Sequence, residues 1–225
     1  MKIFYGLILI AISAISLQAQ QISLGEISRL AKFNKLIDEV NNGTQKIKYS
    51  EIEGIPYSNI NFVRAKVGES TTWVPIRYNS FLDTVEILVN TDVFEIPRAE
   101  APPRFTFEKT NEKLVVVHSQ DEYAGYFFEI ADGKNRILKK IITKFYDASP
   151  APNSLIPGTP ARFETQKPLY FIKTESGLIK IPKTNKDMLV YFPEKKNELN
   201  SFLKTTKIKL NHEPDLVKLA EFLNN

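Results

Sequence analysis

Trp73-Val74-Pro75-Ile76-Arg77-Tyr78-Asn79-Ser80-Phe81-Leu82-Asp83-Thr84-Val85-Glu86-Ile87-Leu88-Val89-Asn90 is the stretch that decides the fold. Two alternating runs flank Ser80-Phe81-Leu82-Asp83, and the alternation is that of a half-buried antiparallel pair. A four-residue loop predicts that Asn79 pairs with Thr84, Arg77 with Glu86, Ile76 with Ile87 and Val74 with Val89. One face then carries Val74, Ile76 and Tyr78 beside Val85, Ile87 and Val89, all apolar or aromatic. The other face sets Arg77 opposite Glu86, a cross-strand charge pair.

Strand signals continue on both sides, over about 46–182. Short strands are expected at 62–67, 93–96, 105–107 and 114–117. A second hairpin is expected at Asp132-Gly133-Lys134-Asn135, led in by 123–130 and out by 137–146. Both of its faces are partly apolar, so it is expected to be covered on both sides. A third hairpin turns at Ser176-Gly177. Residues 97–104 hold three prolines and 149–160 hold four. That density favours extended connections over central strands.

The ends of the chain read differently. Ser23 and Glu26 have capping-box spacing, and Leu24, Ile27, Leu30, Ile37 and Val40 share a stripe, so 24–40 is an expected amphipathic helix. The segment 184–225 is expected to be helical, with stripes at Leu199, Phe202 and Leu203, then at Leu216, Leu219, Ala220 and Leu223. Lys2 precedes a short apolar run that ends in small residues near Ala19, the pattern of a secretory signal peptide. The run is shorter than the ~20 residues needed to span a bilayer. The expected organisation is a signal peptide over 1–19 and one exported domain over 20–225, β-rich at 46–182 and helical at 184–225. Its fold class is α+β: an N-terminal helix, a predominantly antiparallel sheet (sandwich or partly open barrel) and C-terminal helices.

Composition narrows the chemistry. The 225 residues include no cysteine and two histidines. Thiol catalysis, thiolate metal sites, disulfides and a lipid-bearing N-terminal cysteine are excluded. The formal charge is +4, falling to +3 once Lys2 leaves with the leader, which is no nucleic-acid footprint. The expected location is the periplasm, the cell surface or the medium, without a lipoprotein anchor.

Two stretches carry a resemblance. Gly54-Ile55-Pro56-Tyr57-Ser58-Asn59, followed by Phe62-Val63, is similar to G-S-P-Y-L-N-x-x-F. Pro75-Ile76-Arg77-Tyr78-Asn79, with Asp83 and Glu86, is similar to P-L-R-Y-N-x-x-x-D-x-x-E. Together with the stretches Phe192–Lys196, Lys207–Leu210 and Asp215-Leu216, the chain resembles an uncharacterised family of signal-peptide-bearing proteins of Bacteroidota-type Gram-negative bacteria. The resemblance implies export and a β-rich fold, and no activity. Ile55, where that pattern has serine, is a departure.

Arg77, Tyr78, Asn79, Asp83 and Glu86 form the densest polar set. They read either as a ligand pocket at a hairpin tip or as turn and cross-strand cement, with Asn79 and Asp83 satisfying loop backbone groups. Glu51, Glu53, Asp121 and Glu122 are carboxylates with no separation fixed by sequence. His118 and His212 have no metal-ligand spacing, and H-E-x-x-H, G-x-S-x-G, Walker A, G-x-G-x-x-G and EF-hand patterns are absent. Lys134, Arg136, Lys139, Lys140 and Lys144 read as either a protected solvent edge or an acidic-surface contact. No catalytic residue, metal or cofactor is expected. The leading expectation is a non-catalytic envelope or secreted module that binds a protein or polymer. The second is a carrier of an apolar ligand in a barrel-like cavity. The third is a carboxylate-dependent hydrolase.

Overall fold

A computed structural model describes residues 52–97, 103–151, 153, 155 and 157–225. The expected signal peptide, the expected helix over 24–40 and Glu51 lie outside the described residues. The central hairpin forms as its pattern predicts. Strand β2, Val74–Asn79, pairs antiparallel with β3, Thr84–Val89, and Ile76 meets Ile87, Arg77 meets Glu86 and Asn79 meets Thr84. Strand β1, Val63–Val67, lies on the other side of β2, and β4, Asp92–Ile96, lies on the other side of β3.

Beyond β1 the sheet continues through β5, Phe105–Phe107, β6, Lys113–Val117, and β7, Gly125–Ala131. It ends with β8, Arg136–Lys140, β11, Leu169–Thr174, and β12, Gly177–Lys180. These ten strands form one antiparallel sheet in the order β12-β11-β8-β7-β6-β5-β1-β2-β3-β4. Two further strands, β9, Thr143–Tyr146, and β10, Arg162–Thr165, make a separate pair.

The large sheet is strongly curled. Strands β2 and β7 are four steps apart, which on a flat sheet is about 19 Å. Yet the Tyr78 ring lies 5.9 Å from both Tyr126 and Phe128, edge to face. Ala65, Ile76, Val85, Phe105 and Leu114 fill the concavity with them. The sheet does not close; it is the open alternative of the expected architecture.

The C-terminal segment supplies three helices: α1, Asn185–Met188, α2, Lys196–Thr205, and α3, Glu213–Asn224. Thr184 caps α1 by accepting the Asp187 N–H at 3.2 Å, and Pro214 occupies the first turn of α3, where its missing N–H costs nothing. The stripes on α2 and α3 pack Leu199, Leu203, Leu216 and Leu219 onto Ile137 of β8 and Ile172 of β11. Leu138 and Phe171 occupy the opposite face of these strands, together with Phe127 of the adjoining β7. This end of the sheet therefore buries apolar residues on both faces, which is why β7 and β8 each carry apolar side chains on both faces rather than a clean alternation.

Two expectations change. The strand leading out of the second hairpin does not run unbroken over 137–146. It stops at Lys140, and Thr143 begins β9, which leaves the large sheet for β10. Of the basic set, Lys134 and Lys144 are exposed, but Arg136, Lys139 and Lys140 form no solvent edge, because β8 sits between β7 and β11. Lys140 is buried, and Arg136 and Lys139 are engaged by Glu129 and Glu213.

Candidate functional site

The tip of the central hairpin is buried. Ser80, Phe81 and Asp83 are all enclosed, although loop residues usually face water. Asn79 does what a turn residue should: its Oδ1 accepts the N–H groups of Phe81 at 3.1 Å and Leu82 at 2.9 Å. Phe81 packs edge to face on Phe163 of β10, within a small cluster that includes Ile52 and Phe145. Ser80 Oγ lies 2.7 Å from Thr143 Oγ1, which in turn lies 3.0 Å from Thr165 Oγ1.

Asp83 reaches beyond its own loop. It adopts the left-handed region, φ 62°, and its carboxylate turns inward. It accepts the Tyr78 hydroxyl at 2.6 Å and the Tyr126 N–H at 3.3 Å, and it meets Lys140 Nζ at 3.0 Å. Lys140 also lies 4.7 Å over the Phe127 ring and donates to the Ala124 carbonyl at 3.4 Å. Gly125 makes room for this: its φ is +123°, and a Cβ there would sit 1.8 Å from Asp83 Oδ2.

Arg77 and Glu86 lie on the other face of the hairpin. Arg77 donates to Glu86 Oε2 from Nε at 3.1 Å and from Nη2 at 2.6 Å, and from Nη1 to the Ile60 carbonyl at 3.2 Å. Its guanidinium lies 3.6 Å over the Tyr57 ring and 4.4 Å over the Phe62 ring. The two resemblance motifs are thus in contact. Ser58 N–H donates to the Tyr78 carbonyl at 3.1 Å, and Phe81 N–H donates to the Pro56 carbonyl at 3.1 Å. Gly54 has φ +75°, and a Cβ on it would come 2.2 Å from the Phe163 carbonyl oxygen. The five hairpin residues therefore divide: Tyr78 and Asp83 join one buried network, Arg77 and Glu86 a separate pair, and Asn79 closes the turn.

A cleft of about 610 Å³ opens beside Arg77 and Tyr78, at the mouth of the curl. Its floor is apolar: Phe62, Val63, Phe107, Phe128 and Ile141. Ser58, Asn59 and Asn61 form one rim, and the β5–β6 turn forms the other with Glu108, Lys109, Thr110 and Glu112. Glu108 pairs with Arg64 at 3.3 Å and Glu112 with Lys139 at 3.6 Å. Arg77 also lines a smaller cleft of about 260 Å³ with Pro56, Ile60 and Phe163. Sequence reasoning did not find the rim residues, because they come from two loops that only the curl brings together.

The other carboxylates stand apart from the cleft lining. Asp121 closes the β6–β7 connection, accepting Ser119 Oγ at 2.6 Å and the Tyr123 N–H at 2.7 Å. Glu53 lies beside Arg162 of β10 in an isolated bridge. Glu129 gathers Arg136 and Arg104 on Oε2, while its Oε1 has Lys113 Nζ at 3.8 Å and no hydrogen bond. His118 is exposed, and His212 precedes α3 with Nδ1 3.2 Å from Asp215. Among the described residues no group of three histidine or acidic side chains could hold a metal ion, and no helix is long and apolar enough to cross a membrane. No protein-family model matches the chain, and no curated protein or solved structure is significantly similar to it.

Proposed function

We propose that the protein is an exported, non-catalytic binding module of the cell envelope or its surroundings, and that the cleft at the mouth of the curl receives a segment of a protein or polymer partner. The cleft carries this reading. Its volume falls in the range typical of ligand sites, roughly 300–1,000 Å³. An apolar floor supplies burial, and the two polar rims supply orienting hydrogen bonds. The rim carboxylates Glu108 and Glu112 are held in ion pairs, and Asp83 is enclosed by its own donors. That disposition suits recognition better than proton transfer.

A photo-reactive amino acid placed at Asn61 or Thr110 tests the reading in cells. Cross-linking of one protein or glycan from both rim positions, and not from Glu221 on α3, is the expected result. Equal labelling from all three positions would sink it. A second reading is favoured by the floor alone: a carrier of an apolar ligand lying on Phe62, Phe107, Phe128 and Ile141. Lipid recovered with the purified chain, and lost in Ile141→Lys, would select that reading.

A further inference from the structure

We infer that the cleft takes an acidic protein segment, whose apolar side chain lies on the floor while a neighbouring carboxylate is held by Lys109. The inference rests on the reading of this cleft as a binding site and adds the sign of the partner's charge. The lining holds three cations, Arg64, Arg77 and Lys109, and two acids, Glu108 and Glu112. Both acids are neutralised: Arg64 meets Glu108 at 3.3 Å, and Lys139 meets Glu112 at 3.6 Å. Arg77 gives its donors to Glu86 and to the Ile60 carbonyl. Among the described residues, Lys109 is the cation of this lining that has no acidic partner.

The turn that carries Lys109 is braced. Phe107 N–H donates to the Glu112 carbonyl and Asn111 N–H to the Phe107 carbonyl, both at 2.9 Å. Glu108 N–H donates to the Arg64 carbonyl of β1, also at 2.9 Å. Asn111 takes the left-handed conformation the turn needs, φ 55°. The backbone of Lys109 is thus fixed at the rim before a partner arrives, which lowers the cost of binding. On the other rim, Asn59 Oδ1 accepts the Asn61 N–H at 2.9 Å, so its NH2 group is the end left to donate. Both rims offer donors, and donors suit a carboxylate and backbone carbonyls. The floor selects among anions. Phe62, Phe107, Phe128 and Ile141 offer a phosphate or sulfate no hydrogen bond, and burying such a charge on them is costly. A protein segment with an apolar residue beside an acid satisfies floor and rim together. Lys109 also repels a basic segment, so it excludes as well as attracts.

A displayed library of random linear peptides, selected on the mature chain, tests the inference. The expected result is enrichment of peptides that set Asp or Glu beside an aliphatic or aromatic residue. Synthetic copies are expected to bind Lys109→Gln about twofold to fivefold more weakly, the range of an exposed ion pair. Selection repeated on Lys109→Glu is expected to turn to Lys and Arg. Lys109 is exposed, so both variants are expected to keep the fold. Ile141→Asn, a neutral change on the floor checked by circular dichroism, is expected to abolish binding and so locates the peptides in the cleft. Peptides lost in Ile141→Asn but without acids, or with acids and indifferent to Lys109→Glu, overturn the inference and leave the cleft reading standing. Oleate bound in place of any peptide, and lost in Ile141→Asn, overturns it in favour of the apolar carrier. Peptides indifferent to Ile141→Asn, or binding of neither peptide nor oleate, overturn the inference and the cleft reading together.

Discussion

Asp83 and Lys140 stand 57 residues apart in the chain and meet at 3.0 Å, with each side chain 1% exposed. One sits at the tip of the central hairpin and the other at the end of β8. Their contact joins the two ends of the curl: β2 and β3 on one side, β7 and β8 on the other. The Tyr78 hydroxyl and the Tyr126 N–H also donate to the carboxylate. The concavity and the cleft at its mouth depend on this junction.

Removing one member of that pair strands the other charge in the interior. Asp83→Asn or Lys140→Met alone is expected to lower stability by about 3–5 kcal/mol. The double variant is expected to lose less than the sum, because no unpaired charge remains. Urea unfolding of the four proteins measures the coupling, and strict additivity would count against it.

Gly125→Ala is expected to destabilise by more than about 1 kcal/mol, since alanine is strained at φ +123° and its Cβ would occupy the place of Asp83 Oδ2. The penalty should shrink when Asp83 is already alanine, because the steric share disappears and only the backbone share stays. Thermal melting of the single and double variants separates the two shares.

Arg77→Lys keeps the charge and loses the planar group that both pairs Glu86 and lies over Tyr57 and Phe62. The expected loss is about 1.5–3 kcal/mol, the worth of a charge-assisted hydrogen-bonded contact. Because Arg77 lines both clefts, cross-linking of a partner from Asn61 should also weaken. Unchanged stability and unchanged cross-linking together would remove Arg77 from both roles.

Tyr170 gives a pH dependence on the alkaline side. Burial, and then the charge and hydrogen bond of Glu213, push its hydroxyl up to about 12 from the usual 10. The folded state thus holds this proton more tightly than the unfolded chain. The contribution is fully present below pH ~10 and is lost as the pH rises from there through about 12. Tyr170→Phe is expected to flatten this part of the stability curve in alkaline unfolding titrations, and an unaltered slope would contradict the assignment.

The central hairpin was legible because its information is local. Alternation and loop length set the register, and a one-residue slip would have turned Ile76 and Ile87 to the wrong face. The capped and striped helices at the C-terminal end were legible for the same reason. The role of Asp83 was not. An aspartate in a four-residue loop looks like turn chemistry, and nothing nearby in the chain announces Lys140 or the glycine that admits its carboxylate. The break after Lys140 escaped as well, because β8 and β9 are both strands and only their partners differ. The lysines of β8 looked like edge protection because a strand's position in a sheet is not written in the strand.

The sequence by itself determined an α+β chain: antiparallel strands from period-two runs, helices from capped apolar stripes, and no thiol chemistry. Those features rest on neighbours a few residues away. The tertiary structure alone decided which strands lie at the ends of the sheet, which hairpin tip is buried, and where two loops frame a cleft. These outcomes depend on how far a ten-stranded sheet curls, and the curl is settled by contacts such as Tyr78 with Tyr126 and Asp83 with Lys140, between strands that are not neighbours in the sheet.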